Sequence, residues 1–276
     1  VTTTATPVRT AVGHAAGGGW RAVLGYWMAV YRRIWKGTLI SSFLAPLAYL
    51  AGMGLGLGAL VDSGERTALG VPYVAFVATG LLAAQAMQTG VAETTFPVMG
   101  AIRWRRTYQA MLATPLREED LVRGHVAYVT IRLAIVCGVF AVVATALGAM
   151  SGWGVLAAVP AAMLCGLAFA MPVYCYSCLV RSEQGYNVLS RFVIMPLFLF
   201  SGTFFPIAQL PGWLQAVAWV SPLTHAGALT RALGLGQGSP LWLDGGAFLL
   251  HTCYLLLWAV GGYAVAVRAL RHRMTA

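Results

Sequence analysis

Long apolar runs constrain this chain more than any other feature. Several of them, the one at 125–149 for instance, reach the ~20 residues needed to cross ~30 Å of hydrocarbon. Only 9% of the 276 residues are charged and 59% are hydrophobic, whereas a soluble domain carries about a quarter charged residues to clothe its surface. The chain is therefore read as an all-α polytopic membrane protein. All five cysteines (Cys137, Cys165, Cys175, Cys178 and Cys253) fall inside apolar runs, and the number is odd, which argues against a disulfide framework. The CYSC at Cys175 and Cys178 has no second pair or histidine beside it, so it reads as helix packing rather than a metal site.

Hydropathy places six spans near 37–60, 72–96, 125–149, 154–180, 188–206 and 246–268. Basic residues crowd one set of connections: Arg9, Arg21, Arg32, Arg33 and Lys36 before the first span, Arg103, Arg105, Arg106, Arg117 and Arg123 after the second, Arg181 and Arg191 after the fourth, and Arg268, Arg271 and Arg273 after the sixth. The other side holds only Arg66 and Arg231. Positive residues stay cytoplasmic, so both termini are expected inside a cell membrane. A formal charge of +10 then reflects topology, and no nucleic-acid partner is implied.

Residues 1–19, rich in Thr, Ala and Gly, contain no apolar core of the kind a secretory signal needs and read as a flexible cytoplasmic tail. Residues 20–276 read as one transmembrane domain. At 20–36, Trp20, Leu24, Trp27, Met28, Tyr31, Ile34 and Trp35 recur at helical spacing opposite Arg21, Arg32, Arg33 and Lys36, the pattern of an interfacial amphipathic helix. Gly52, Gly54, Gly56 and Gly58 alternate inside the first span and suit close helix packing, such as at a subunit interface, rather than phosphate binding.

The chemistry of a self-powered machine is missing. The single lysine, Lys36, is followed by Gly37 and preceded by Trp35, so no GxxxxGK[ST] phosphate loop exists. Glu93 and Arg132 are ionisable groups near the inner ends of their spans, where pairing or snorkelling accounts for them. His225 and His251 stand apart from other ligand types. No acid lies beside Ser201, Ser221 and His225 to orient a base. Polar Thr79, Gln85, Gln88 and Thr89 on the second span could line a substrate path or bond helix to helix.

Two connections carry more than topology. In the inner one, a short helix over 105–113 precedes Thr114, an expected N-cap with Pro115 at the first helical position and Glu118, Glu119 and Asp120 in the opening turns. Met111, Leu112, Pro115 and Leu116 form an apolar patch suited to a partner. In the outer one, SGTFFPIAQLPGWLQAVAWVSPLTHAGALTRAL, Pro206 and Pro211 bracket IAQL, Trp213 and Trp219 flank a short helix, and Pro222 ends it. About ten helical residues reach only ~15 Å, so the segment can dip into the membrane but not cross it.

RTYQAMLATPLREEDLVRGH and LFSGTFFPIAQLPGWLQAVAWVSPLTHAGALTRAL together resemble the membrane subunits of ABC-2 type exporters, in particular the permeases of nodulation-factor (lipo-oligosaccharide) and daunorubicin-type drug exporters. The resemblance covers about residues 20–270 and leaves the Thr/Gly-rich tail unmatched. It implies a dimer that binds two copies of a separate ABC ATPase, with ATP and Mg held by that partner and no cofactor or catalytic residue on this chain. It also implies that Tyr108, Met111, Leu112, Thr114, Pro115, Leu116 and Glu118 couple to the ATPase. Phe205, Pro206, Pro211, Trp213, Trp219 and Pro222 would then belong to extracellular re-entrant helices gating the path between spans five and six, and Thr79, Gln85 and Gln88 to the path itself. The cargo expected is amphipathic, lipid-linked or drug-like. A polysaccharide or teichoic-acid exporter permease is the alternative inside the superfamily; a channel or membrane-embedded transferase is the alternative outside it.

Overall fold

The computed structural model describes residues 18–52, 70–150 and 152–275. Helix α1 covers Gly19–Ala51. Helix α2, Tyr73–Thr94, leads into a short α3, Phe96–Met99, and a wide π turn at Gly100–Trp104. A surface helix α4, Thr107–Leu112, precedes α5, Glu118–Ala146, and α6, Gly154–Leu179. Then α7 (Gln184–Leu189), a second π turn (Ser190–Ile194) and α8 (Met195–Phe200) follow end to end. Helices α9, Gly212–Val220, α10, Pro222–Leu235, and α11, Gly245–Thr275, complete the fold. No strand occurs among the described residues.

Four helical stretches among the described residues are long and apolar enough to cross a membrane: Tyr73–Trp104, Glu118–Ala146, Gly154–Leu179 and Gly245–Met274. They match the spans expected at 72–96, 125–149, 154–180 and 246–268. The region expected as an interfacial helix at 20–36 and the start of the first span share α1, with no break after Lys36. Residues 1–17 of the expected tail, the end of the first span, Gly54, Gly56, Gly58 and Arg66 lie outside the described residues. The stretch expected as the fifth span, 188–206, is interrupted by its π turn and stops at Phe200, because Gly202 takes φ 80° and Pro206 offers no N–H.

Helix α6 is the hub, with α2, α5, α10 and α11 all packed on it. It is apolar around its circumference and keeps Pro160 and Pro172 inside the helix. Its contact with α2 depends on missing side chains: a Cβ on Gly90 would collide with the Gly166 carbonyl. Such small-residue contacts let two backbones touch, which is how helices attract one another where the hydrophobic effect is absent. The two helices run in the same direction, since Gly90 meets Gly166 and the Ser177 hydroxyl donates to the Thr94 carbonyl at 2.6 Å. Helix α5 runs against them and α1 runs along α5, with Trp27 on His125 and Tyr128 and with Tyr31 on Arg132.

Basic side chains gather at one end of the bundle. Arg103 donates to the Arg181 carbonyl, Arg123 to the Tyr263 hydroxyl, and Arg271 lies 3.5 Å from Glu119. Helix α10, in the connection expected to dip into the membrane without crossing it, is buried in the bundle and antiparallel to α6. Its start shares a cleft with Phe169 and Pro172, and its Leu233 carbonyl abuts Gly154.

Candidate functional site

At the basic end, α4 hangs outside the bundle between the π turn and α5. Arg106, just before it, takes a left-handed conformation with φ 49°, a sharp corner that ordinary residues seldom adopt. Thr114 does not cap α5 as expected: its hydroxyl donates back to the Met111 carbonyl at 2.6 Å, closing α4 instead. The N-cap of α5 is Arg117, whose N–H donates to the Asp120 carboxylate at 3.2 Å. Pro115 therefore lies in the turn, while Glu118, Glu119 and Asp120 do occupy the first turn of α5, where carboxylates meet the positive helix end.

The expected docking patch divides in two. Met111, Leu112 and Leu116 are half-buried and pack against the core, whereas Ala113, Thr114 and Pro115 are exposed. Tyr108 faces inward and is fully buried. Its hydroxyl lies 3.3 Å from His125 Nδ1 and accepts from Tyr174 at 3.4 Å. Burial pushes the Tyr108 phenol well above its ordinary range, so it stays protonated.

From His125 the contacts continue into the bundle. His125 Nε2 lies 2.9 Å from the Glu93 carbonyl, which assigns the proton to Nε2 and leaves Nδ1 to accept from Tyr108. The Glu93 carboxylate accepts from Tyr128 at 3.0 Å and from Arg132 Nε at 2.8 Å. Arg132 is 3% exposed and its guanidinium lies 4.5 Å over the Tyr31 ring. Thus the surface helix α4 joins α1, α2, α5 and α6 through one polar and aromatic cluster. Glu93 and Arg132 pair as their positions suggested; the chain leading to them from Tyr108 was not visible, because His125 reads in sequence as an isolated histidine.

In the outer connection the short helix expected around Trp213 and Trp219 is present as α9, and the difference lies at Pro222. Helix α9 ends at Val220, and Pro222 opens α10 at its first helical position, with Ser221 as N-cap accepting from Leu223 N–H. Of the other named residues, Pro206 and Pro211 flank a short 3₁₀ turn at Ile207–Gln209, Phe205 is half-buried, and Trp213 and Trp219 are exposed at 71% and 52%. The α9–α10 corner is tied to the end of α8, since Ser201 donates to the Ser221 hydroxyl at 2.9 Å.

His225 and His251 meet, though sequence spacing separated them: their Nδ1 atoms are 2.7 Å apart and His225 Nε2 donates to the Trp219 carbonyl at 2.9 Å. Tyr254 stacks on His225 and donates to the Val220 carbonyl. No group of three or more metal-ligating side chains occurs among the described residues. Arg231, expected on the outer surface, is buried in α10. It donates to the Gly202 and Thr203 carbonyls and lies 4.0 Å over the Phe76 ring.

Two clefts flank this region. An apolar one of about 440 Å³ opens between α6, the α7–α8 segment, the α9–α10 corner and α11, lined by Phe169, Leu197, Val217 and Trp258. A more polar one of about 490 Å³ lies between α2 and α7–α8, lined by Gln88, Asn187 and Ser190. Gln88 is therefore exposed to a cleft and Gln85 is half-buried. Thr79 is buried, donates to its own helix and accepts from Thr230 at 2.9 Å through its carbonyl, which makes it a helix contact.

Residues 20–233 match the family model described as "ABC-2 type transporter". The chain is 34% identical over 255 residues to Nodulation protein J of Rhizobium meliloti (strain 1021), covering 90% of this chain and 94% of that protein. It is 38% identical over 218 residues to Nodulation protein J of Rhizobium leguminosarum bv. trifolii, covering 76% and 82%. The protein of the same name from Bradyrhizobium diazoefficiens is 30% identical over 255 residues, covering 90% and 94%.

Proposed function

The chain belongs to the ABC-2 type transporter family, as a multi-pass membrane component of a transport system, and on that premise we propose that it is the permease subunit of an ATP-driven exporter. In this reading two copies assemble in the cell membrane with both termini cytoplasmic. Each engages one subunit of a separate ABC ATPase, which binds ATP and Mg. The cargo is an amphipathic, lipid-linked or drug-like molecule, a class supported by an apolar cleft beside a polar one.

The observation that carries the reading is the construction of α4. It stands outside the bundle, exposes Ala113, Thr114 and Pro115, and is fastened inward by Tyr108 to a cluster shared by the long helices. A push on the exposed turn is thereby delivered to α2, α5 and α6 rather than dissipated in a loop. Closure of the ATPase dimer would supply that push and shift the permease between inward and outward states. At the other end, the α9–α10 corner lies beside Phe169 of α6 and Tyr254 of α11, well inside the length of both helices. This supports a re-entrant hairpin acting as an outer gate, with Phe205, Pro206, Pro211, Trp213, Trp219 and Pro222 shaping it and Gln88 facing the path.

The test is reconstitution with a partner ABC ATPase. Ala113→Arg, on the exposed turn, is expected to leave the permease folded and to abolish substrate-stimulated ATP hydrolysis and transport in inverted vesicles. Full transport in that variant would refute the coupling assignment. Cysteines placed along 207–231 and labelled from outside should react unevenly, and uniform labelling would rule out a re-entrant hairpin.

A further inference from the structure

A third cleft lies at the basic end, of about 570 Å³, lined by Ile102, Arg103, Arg106, Gln109 and Arg273. Three arginines from three elements converge there: Arg103 from the π turn after α2, Arg106 from the left-handed corner before α4, and Arg273 from the last turn of α11. None of the three has a carboxylate within ion-pair distance among the described residues; the ion pairs present join Arg123 and Arg271 to Glu119, and Arg132 to Glu93. Clustering like charges without counter-charge is costly, and a fold that does so at one concave spot is built to receive an anion.

We infer that this cleft holds the phosphate headgroup of an anionic phospholipid from the inner leaflet. Guanidinium groups match phosphate oxygens in paired hydrogen bonds, and basic clefts between helix ends on the cytoplasmic side suit such headgroups. Depth favours lipid over a soluble anion: Trp104, next to Arg103, is 55% exposed, and Trp settles at headgroup level. The cleft also touches the coupling helix, since Gln109 lines it and donates to the Ile102 carbonyl at 2.7 Å. A bound headgroup would brace α4 against α11 and so make coupling sensitive to the charge of the membrane.

The inference rests on the orientation proposed above, which labelling tests separately. Its own test is lipid preference, read on the full chain in nanodiscs as displacement of spin-labelled phosphatidylglycerol by phosphatidylcholine. Wild type should prefer phosphatidylglycerol, and each arginine removed should lower that preference about fivefold. Arg106→Gln, at an exposed position, keeps the test informative even where Arg103→Gln/Arg106→Gln fails to fold. Arg32→Gln/Arg33→Gln, the same charge change on exposed α1 positions outside the cleft, should lower the preference less. The inference is overturned by no preference in wild type, by a preference retained in Arg106→Gln, or by equal loss in the α1 control. Displacement of the lipid by inorganic phosphate alone would assign the cleft to a soluble anion. Loss of ATPase binding with unchanged lipid preference would assign it to the protein partner.

Discussion

Arg132 and Arg231 are both buried, one toward each end of the bundle, and both lie over an aromatic ring, yet they are held by different means. Arg132 meets a carboxylate, and that carboxylate is itself fixed by Tyr128. Arg231 meets only the carbonyls of Gly202 and Thr203, in a bend that follows the end of α8; each arginine leaves one buried nitrogen without a partner, so the contrast lies in the acceptor alone. A charge pair in low dielectric is strong and unforgiving, because removing either partner strands the other. Carbonyl dipoles hold a cation more loosely and can be exchanged as a bend reshapes. The basic end thus holds its buried cation by a fixed charge pair and the opposite end by carbonyl dipoles, a difference that suits the push and the gate proposed above.

The largest test of this contrast is Glu93→Gln. It leaves Arg132 buried without its counter-charge and should cost about 3–5 kcal/mol, read as a lowered thermal midpoint, with Glu93→Gln/Arg132→Met recovering much of the loss. Arg231→Met should cost less, roughly 1–3 kcal/mol, because only carbonyls lose their donors; a larger effect than Glu93→Gln would reverse the comparison. Tyr108→Phe removes the hydroxyl that joins α4 to His125 and should cost about 1 kcal/mol, while reducing coupling between ATP hydrolysis and transport. Coupling preserved in Tyr108→Phe would mean that the push does not run through this residue. The smallest effect is expected from Ser221→Ala, about 0.5–1 kcal/mol for a lost N-cap, with faster hydrogen exchange confined to the start of α10.

The long helices were legible because hydropathy is a local property. The spans expected at 154–180 and 246–268 coincide with α6 and α11 to within a residue at their starts. The helix expected to open at Pro115 starts three residues later, at Glu118, and runs without a break into the span expected at 125–149, because its polar first turns and its apolar body belong to one helix. What escaped the sequence depends on the neighbours of a segment. Arg231 counts as an outer loop charge until α10 is seen to be enclosed by α2, α6 and α11. His225 and His251 belong to different helices, so nothing in the spacing joins them. Tyr108 sits in a connection rich in charge and was read as facing a partner, whereas its ring points to His125. Of the glycines that matter for packing, Gly90 and Gly166 are single residues in two separate runs, with no local motif to mark either.

The contact between Gly90 and Gly166 has a mechanical consequence. With backbone against backbone there is no side chain to change rotamer and no slack to absorb a slide, so α2 and α6 must travel as one body. In the proposed mechanism, displacement entering through α4 would then be carried past this contact to the margins of that body, where the π turn at Ser190–Ile194 interrupts the regular hydrogen bonding between α7 and α8 beside the two clefts.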